Sequence, residues 1–130
     1  MSTAASPPLI PSDANHTAVL LTRPKIVKGT VTVATVTAGT VNAASGVITV
    51  TETSAIATTT KATAVITNSF CSATSSVLIS IGSYAGTTGA NGSPSVWATP
   101  AEGSFTLTVA NEGITAANLS GALTINFLIV

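Results

Sequence analysis

From Ser104 to Asn111 the chain places Phe105, Leu107 and Val109 between Ser104, Thr106 and Thr108. Near the end, Leu123, Ile125, Phe127 and Ile129 alternate with Ala122, Thr124, Asn126 and Leu128. Strict alternation of apolar and polar residues puts one side-chain set on each face of a strand, one buried and one wet. Weaker forms recur upstream. Val31, Val33 and Thr35 alternate with Thr30, Thr32 and Ala34, and a strand opened by Gly46 alternates Val47, Thr49 and Thr51 with Ile48 and Val50. Residues 61–68 set Val65 and Ile66 on opposite faces, and Val77, Ile79 and Ile81 alternate with Leu78 and Ser80. Thr, Val and Ile are stiff at χ1 and suit such a pleated, half-buried surface. No window of ten residues carries a helical stripe, and only Ile114–Leu119 is expected to make a short helical turn. Turn chemistry separates the runs at Ala38-Gly39, Ser45-Gly46, Gly89-Ala90-Asn91-Gly92 and Glu112-Gly113, and the Asn91-Gly92 pair asks for positive φ. The last strand is expected to reach Val130. Seven or eight short strands joined by turns predict an all-β chain, a single β-sandwich or jelly-roll-like domain over residues 26–130.

Residues 1–25 differ in character. Pro7, Pro8, Pro11 and Pro24 are four of the six prolines, and proline fixes φ and removes a donor, so an extended N-terminal arm is expected. Its apolar patch, Ala18-Val19-Leu20-Leu21, has the length to add as a strand to a sheet edge. Arg23, Lys25 and Lys28 hold three of the chain's four cations where the arm meets the sandwich. They read either as an anchor onto an acidic partner surface or as a solvated hinge. With Val19, Leu20 and Leu21 they form the candidate partner interface.

Charge limits the function classes. Only 6% of the 130 residues are Asp, Glu, Lys or Arg, against about 25% in ordinary soluble domains. General acid–base chemistry needs titratable groups held together, so an enzyme is not expected. Nucleic-acid affinity comes mostly from many Lys/Arg–phosphate contacts, which four cations do not supply. With 45% hydrophobic residues and zero net charge the chain does not read as disordered. A surface this poor in charge favours an assembly that covers much of it. The N-terminal residues show neither the basic nor the apolar region of a secretory signal, and apolar runs stay short, so neither a signal peptide nor a membrane helix is expected.

Individual candidates read mostly as structural. His16, three residues from Asp13, would need Cys71 or a Ser nearby to build a nucleophile–base pair, and it lies in the arm, where a solvent-facing or interface role fits better. One His and one Cys without clustered carboxylates supply no closed metal-ligand set, so no metal or other cofactor is expected. Glu52, Glu102 and Glu112 fall in turns or at strand ends and read as solubilising charges rather than a glycosidase pair. Gly86, Gly89 and Gly92 precede no helix and read as a turn region, not a phosphate cradle. Cys71 reads as a small buried or half-buried residue at a strand end. The sequons at Asn15, Asn91 and Asn118 read as chance occurrences. Tyr84 and Trp97 flank the Gly-rich loop that contains Asn91, either as core plugs at one end of the sandwich or as exposed aromatics able to meet glycan or protein.

Four blocks then carry a resemblance. They are Val65-Ile66-Thr67-Asn68-Ser69, Val77-Leu78-Ile79-Ser80, Gly103 to Asn111, and Leu123 to Val130. In order and spacing they resemble small β-sandwich structural proteins of tailed bacteriophages, a group of head decoration (cement) proteins and tail-fibre domains. The likeness covers about 65 residues and excludes the arm. It implies a non-enzymatic virion protein on the outer surface of a phage head, made in the host cytoplasm. Such a protein binds across major capsid subunits and, as a homo-oligomer, copies of itself, without nucleic acid or membrane. The alternative it implies is a receptor-binding tail-fibre or adhesin domain that recognises host-surface glycan through the loop bearing Tyr84, Asn91 and Trp97.

Overall fold

Eight strands carry the chain in the computed structural model, which describes residues 28–88 and 90–130. They are β1 (Lys28–Val33), β2 (Ala38–Thr40), β3 (Ser45–Val50), β4 (Lys61–Thr67), β5 (Val77–Tyr84), β6 (Pro94–Ala101), β7 (Ser104–Asn111) and β8 (Leu123–Ile129). Two four-stranded sheets result, ordered β1-β3-β8-β5 and β2-β4-β7-β6. The chain is all-β, and its two sheets pack as a β-sandwich. Its pairings are antiparallel except β1 with β3 and β2 with β4, which run parallel. That mixture separates it from a jelly roll of purely antiparallel strands. β1 and β2 belong to one stretch that bends at residues 34–37 and crosses from the first sheet to the second, a usual way to turn a sandwich corner.

The alternation read in the sequence decides which face is inside. Phe105, Leu107 and Val109 of β7 and Leu123, Ile125, Phe127 and Ile129 of β8 are buried, with Ile48 and Val50 of β3 and Ala64 and Ile66 of β4. Each large side chain so buried contributes about 1.5–3 kcal/mol. Phe105 and Phe127 face one another from opposite sheets with ring centroids 5.6 Å apart and a 44° tilt, the offset geometry aromatic pairs favour.

Several expectations change. Ala38-Gly39 is not a turn but lies in β2, because Gly39 packs inward where an added Cβ would stand 2.8 Å from Val31 and 3.0 Å from Val33. Ser45-Gly46 likewise opens β3 rather than turning before it. A Cβ on Gly46 would overlap the carbonyl oxygen of Gly29, so this glycine lets β1 and β3 approach. Residues 94–101 form a full strand, β6, at the edge of its sheet. There Pro94 and Pro100 are tolerated because an edge strand need not donate along its outer side. Residues 114–116 form a bend and 117–119 are irregular, with no helical turn. β1 stops at Val33, short of Thr35, and β8 stops at Ile129, short of Val130. Ser76 and Val130 nonetheless exchange two backbone hydrogen bonds, 2.8 and 3.0 Å, beyond that last strand residue.

Candidate functional site

The loops gather at two ends. At one, residues 41–44, 68–76 and 102–103 meet. Asn68, fully buried, donates from Nδ2 to the Ala43 carbonyl at 2.8 Å, and its Oδ1 accepts from the Phe70 amide at 2.9 Å. At this end Phe70 (58% exposed), Leu78 (56%) and Val130 (68%) face outward. A hollow of about 220 Å³ lies beside Leu78, Ser80, Asn126 and Leu128 on the outer face of the first sheet. Cys71 is buried here, just past the end of β4, as a small core residue.

The opposite end joins residues 51–60, 85–88, 90–93 and 112–122. Tyr84 closes β5 and is half-buried; its hydroxyl donates to the Asn91 carbonyl at 2.6 Å and accepts from the Ser120 amide at 2.9 Å. Asn91 is half-buried as well, and its Oδ1 accepts from the Thr87 amide at 3.0 Å. Neither residue is therefore the free contact residue of an exposed loop. Tyr84 is the plug, and its polar tip is spent on the loops around it. Gly92 takes φ +76°, as the Asn-Gly pair required. Beneath it, buried Asn111 accepts from Ser93 N and Gly113 N on Oδ1, and donates from Nδ2 to the carbonyls of Ala117 (2.9 Å) and Ile56 (3.2 Å). The sequence offered no motif for this brace; the one hint was an Asn closing a strand just before a Glu-Gly turn.

Trp97 departs furthest from expectation. It is not beside the loop but the fourth residue of β6, on the outer face of the second sheet and opposite Thr108 of β7. It remains 41% exposed. Next to it Lys61 of β4, Ala110 of β7 and Ser95 of β6 align across three strands. Trp97, Lys61, Ala110, Asn111, Glu112, Thr59 and Thr60 line a shallow open hollow of about 420 Å³. Glu112 hydrogen-bonds through Oε1 to Ser95 Oγ at 3.4 Å, and no ion pair joins Lys61 to Glu112. Thr59 sits on the rim at φ +61°, the only non-glycine with positive φ among the described residues. It is held there by its amide on the Asn111 carbonyl (3.0 Å) and by Thr60, whose amide and hydroxyl both donate to the Ala57 carbonyl.

No family model, curated protein or solved structure matches this chain.

Of the remaining candidates, Lys28 opens β1 and is exposed. Val19, Leu20, Leu21, Arg23 and Lys25, with His16 and the rest of the arm, lie outside the described residues. Glu52, Glu102 and Glu112 are all exposed, each outside the strands. Glu52 accepts the Ser54 amide at 2.8 Å, and that hydrogen bond holds its carboxyl below the ordinary range.

Proposed function

We propose that this chain is a non-enzymatic structural protein of a virion, a decoration protein that binds across the subunits of a phage head and stabilises it. The observation that carries this reading is the end of the sandwich where Phe70, Leu78 and Val130 stand exposed. Exposed large apolar side chains gathered at one end favour protein interaction, and little net charge opposes docking here. Among the described residues the charged side chains are Lys28, Lys61, Glu52, Glu102 and Glu112, and of these only Lys28, opposite Ser45, and Glu102 fall at this end, with opposite signs. The buried Asn68 side chain holds the Phe70 amide and the Ala43 carbonyl, so Phe70 is presented from a fixed backbone and has less conformational entropy to lose on docking. The strand-and-turn resemblance to structural proteins of tailed bacteriophages, head decoration proteins and tail-fibre domains alike, agrees with a virion role.

The test is a count. Purified source particles should contain this chain at a ratio to the major shell protein near one, or one to a few, and stripping it should lower the particles' thermal stability. A handful of copies per particle would assign it to the tail instead, and particles that lose it with no loss of stability would refute the clamp. Phe70→Ser and Leu78→Ser should weaken attachment while leaving the fold intact, because both side chains already face solvent.

A further inference from the structure

We infer that the hollow beside Trp97 is a saccharide-binding site, taking one neutral pyranose ring or the end of a short chain of them. This goes beyond the structural reading and uses a different surface, so either can fail without the other.

The chemistry of the lining selects the ligand. A pyranose has an apolar face of C–H groups and a rim of hydroxyls that both donate and accept. Trp97 supplies the broad apolar surface, on a strand of a rigid sheet rather than on a loop. Lys61 supplies donors only and Glu112 acceptors only; the Thr59 hydroxyl can do both, and the Thr60 hydroxyl, which donates to the Ala57 carbonyl, is left as an acceptor. Lys61 and Glu112 are not spent on one another. Their charges sum to zero, which leaves no excess for a phosphate or sulfate and no reason to exclude a neutral ligand. A single indole without surrounding aliphatic side chains is a poor socket for a hydrophobic peptide anchor, which needs a desolvated pocket. The volume, about 420 Å³, lies at the lower end of the range for small-ligand sites.

A second observation concerns the backbone of one lining residue rather than its side chain. Thr59 is β-branched yet held at φ +61° on the rim. Backbone conformations this unfavourable persist only where surrounding structure imposes them, and they cluster at ligand sites. Here two hydrogen-bonded elements, the 57–60 turn and the end of β7, fix the residue in place.

Trp97 is the only tryptophan in the chain, so its emission reports on this site alone. The full chain would be titrated with maltohexaose, cellohexaose and chitohexaose, each to millimolar concentration, while Trp97 fluorescence is followed. The expected result is a saturable emission change with at least one of the three. Isothermal titration calorimetry should then show that ligand's affinity falling at least tenfold in Trp97→Ala, several-fold in Glu112→Gln and Lys61→Met, and little in Trp97→Phe. Glu112→Gln, Lys61→Met and Trp97→Phe should melt within a few degrees of the wild type, and Trp97→Ala, which removes a side chain more than half covered, should melt lower but remain folded at the titration temperature. Absence of any saturable change with all three oligosaccharides would overturn the proposal, as would calorimetric binding that survives Trp97→Ala undiminished.

Discussion

The hydroxyl of Tyr84, at the last position of β5, donates to the carbonyl oxygen of Asn91 at 2.6 Å and accepts the amide of Ser120 at 2.9 Å. One phenol thereby ties the loop that follows β5 to the loop that precedes β8, reaching an amide 36 residues further along the chain. Gly86 packs so closely that a Cβ there would stand 2.5 Å from the Tyr84 hydroxyl. Tyr84→Phe keeps the ring and removes both bonds, leaving a half-buried amide and carbonyl to find water. It should cost about 1–2 kcal/mol. Urea denaturation measures that cost, and hydrogen exchange should quicken at Ser120 before it does in the strands.

Asn111 holds more. Its side chain satisfies four backbone groups from three separate segments while itself only 1% exposed. Asn111→Ala strands the Ser93 and Gly113 amides, while the Ile56 carbonyl keeps the Leu119 amide and the Ala117 carbonyl keeps the Thr58 hydroxyl, and it should cost about 2–4 kcal/mol. Asn111→Asp keeps the acceptor for Ser93 and Gly113 but turns an anionic oxygen toward the Ile56 and Ala117 carbonyls, so it should rescue little at neutral pH. Thermal melts of the two variants decide this: an Asp variant as stable as wild type would mean that the donors to Ile56 and Ala117 contribute nothing.

These braces explain why the strands were more legible than the site. β7 and β8 could be read directly because Phe105 to Val109 and Leu123 to Ile129 obey a period of two without interruption. β2 and β6 could not, because Gly39, Pro94 and Pro100 carry the signature of turns. Gly39 is required by close packing against Val31 and Val33, and both prolines are permitted by an edge position. Neither fact is local. Trp97 was misplaced for the same reason: once β6 is read as loop, its aromatic reads as a loop residue too. The hollow it lines joins β4, β6 and β7, and only the strand order brings Lys61 beside Trp97. Asn111 was visible only as an unremarkable polar residue, since its partners lie in segments distant along the chain.

Glu52 makes stability depend weakly on acidity. The backbone amide of Ser54 bonds its carboxylate and holds the pKa below that of an unfolded chain. A group whose folded pKa is depressed stabilises the fold above its unfolded pKa, and that contribution disappears as pH falls through the folded value. Melting temperature should therefore drop slightly on acidification from pH 6 to about pH 3. In Glu52→Gln the part of that drop owed to this carboxyl should vanish. Parallel acid profiles for the two proteins would show that the Ser54 bond is too solvent-exposed to matter.

Thr59 carries the opposite expectation, because at its position the native residue is the unfavourable one. A β-branched side chain at φ +61° costs about 1–3 kcal/mol relative to ordinary backbone. Asn tolerates this region far better than Thr, and Gly better still, although Gly gives back about 0.5–1 kcal/mol through the entropy of the unfolded chain. Thr59→Asn should therefore stabilise the protein by about 1 kcal/mol, with Thr59→Gly close behind and Thr59→Val no better than wild type. Each kcal/mol raises the melting temperature of a domain this size by about 4 °C. Differential scanning calorimetry across the three variants resolves that order. If Asn and Gly both lowered stability, the Thr59 side chain would be making a contact worth more than the strain it imposes.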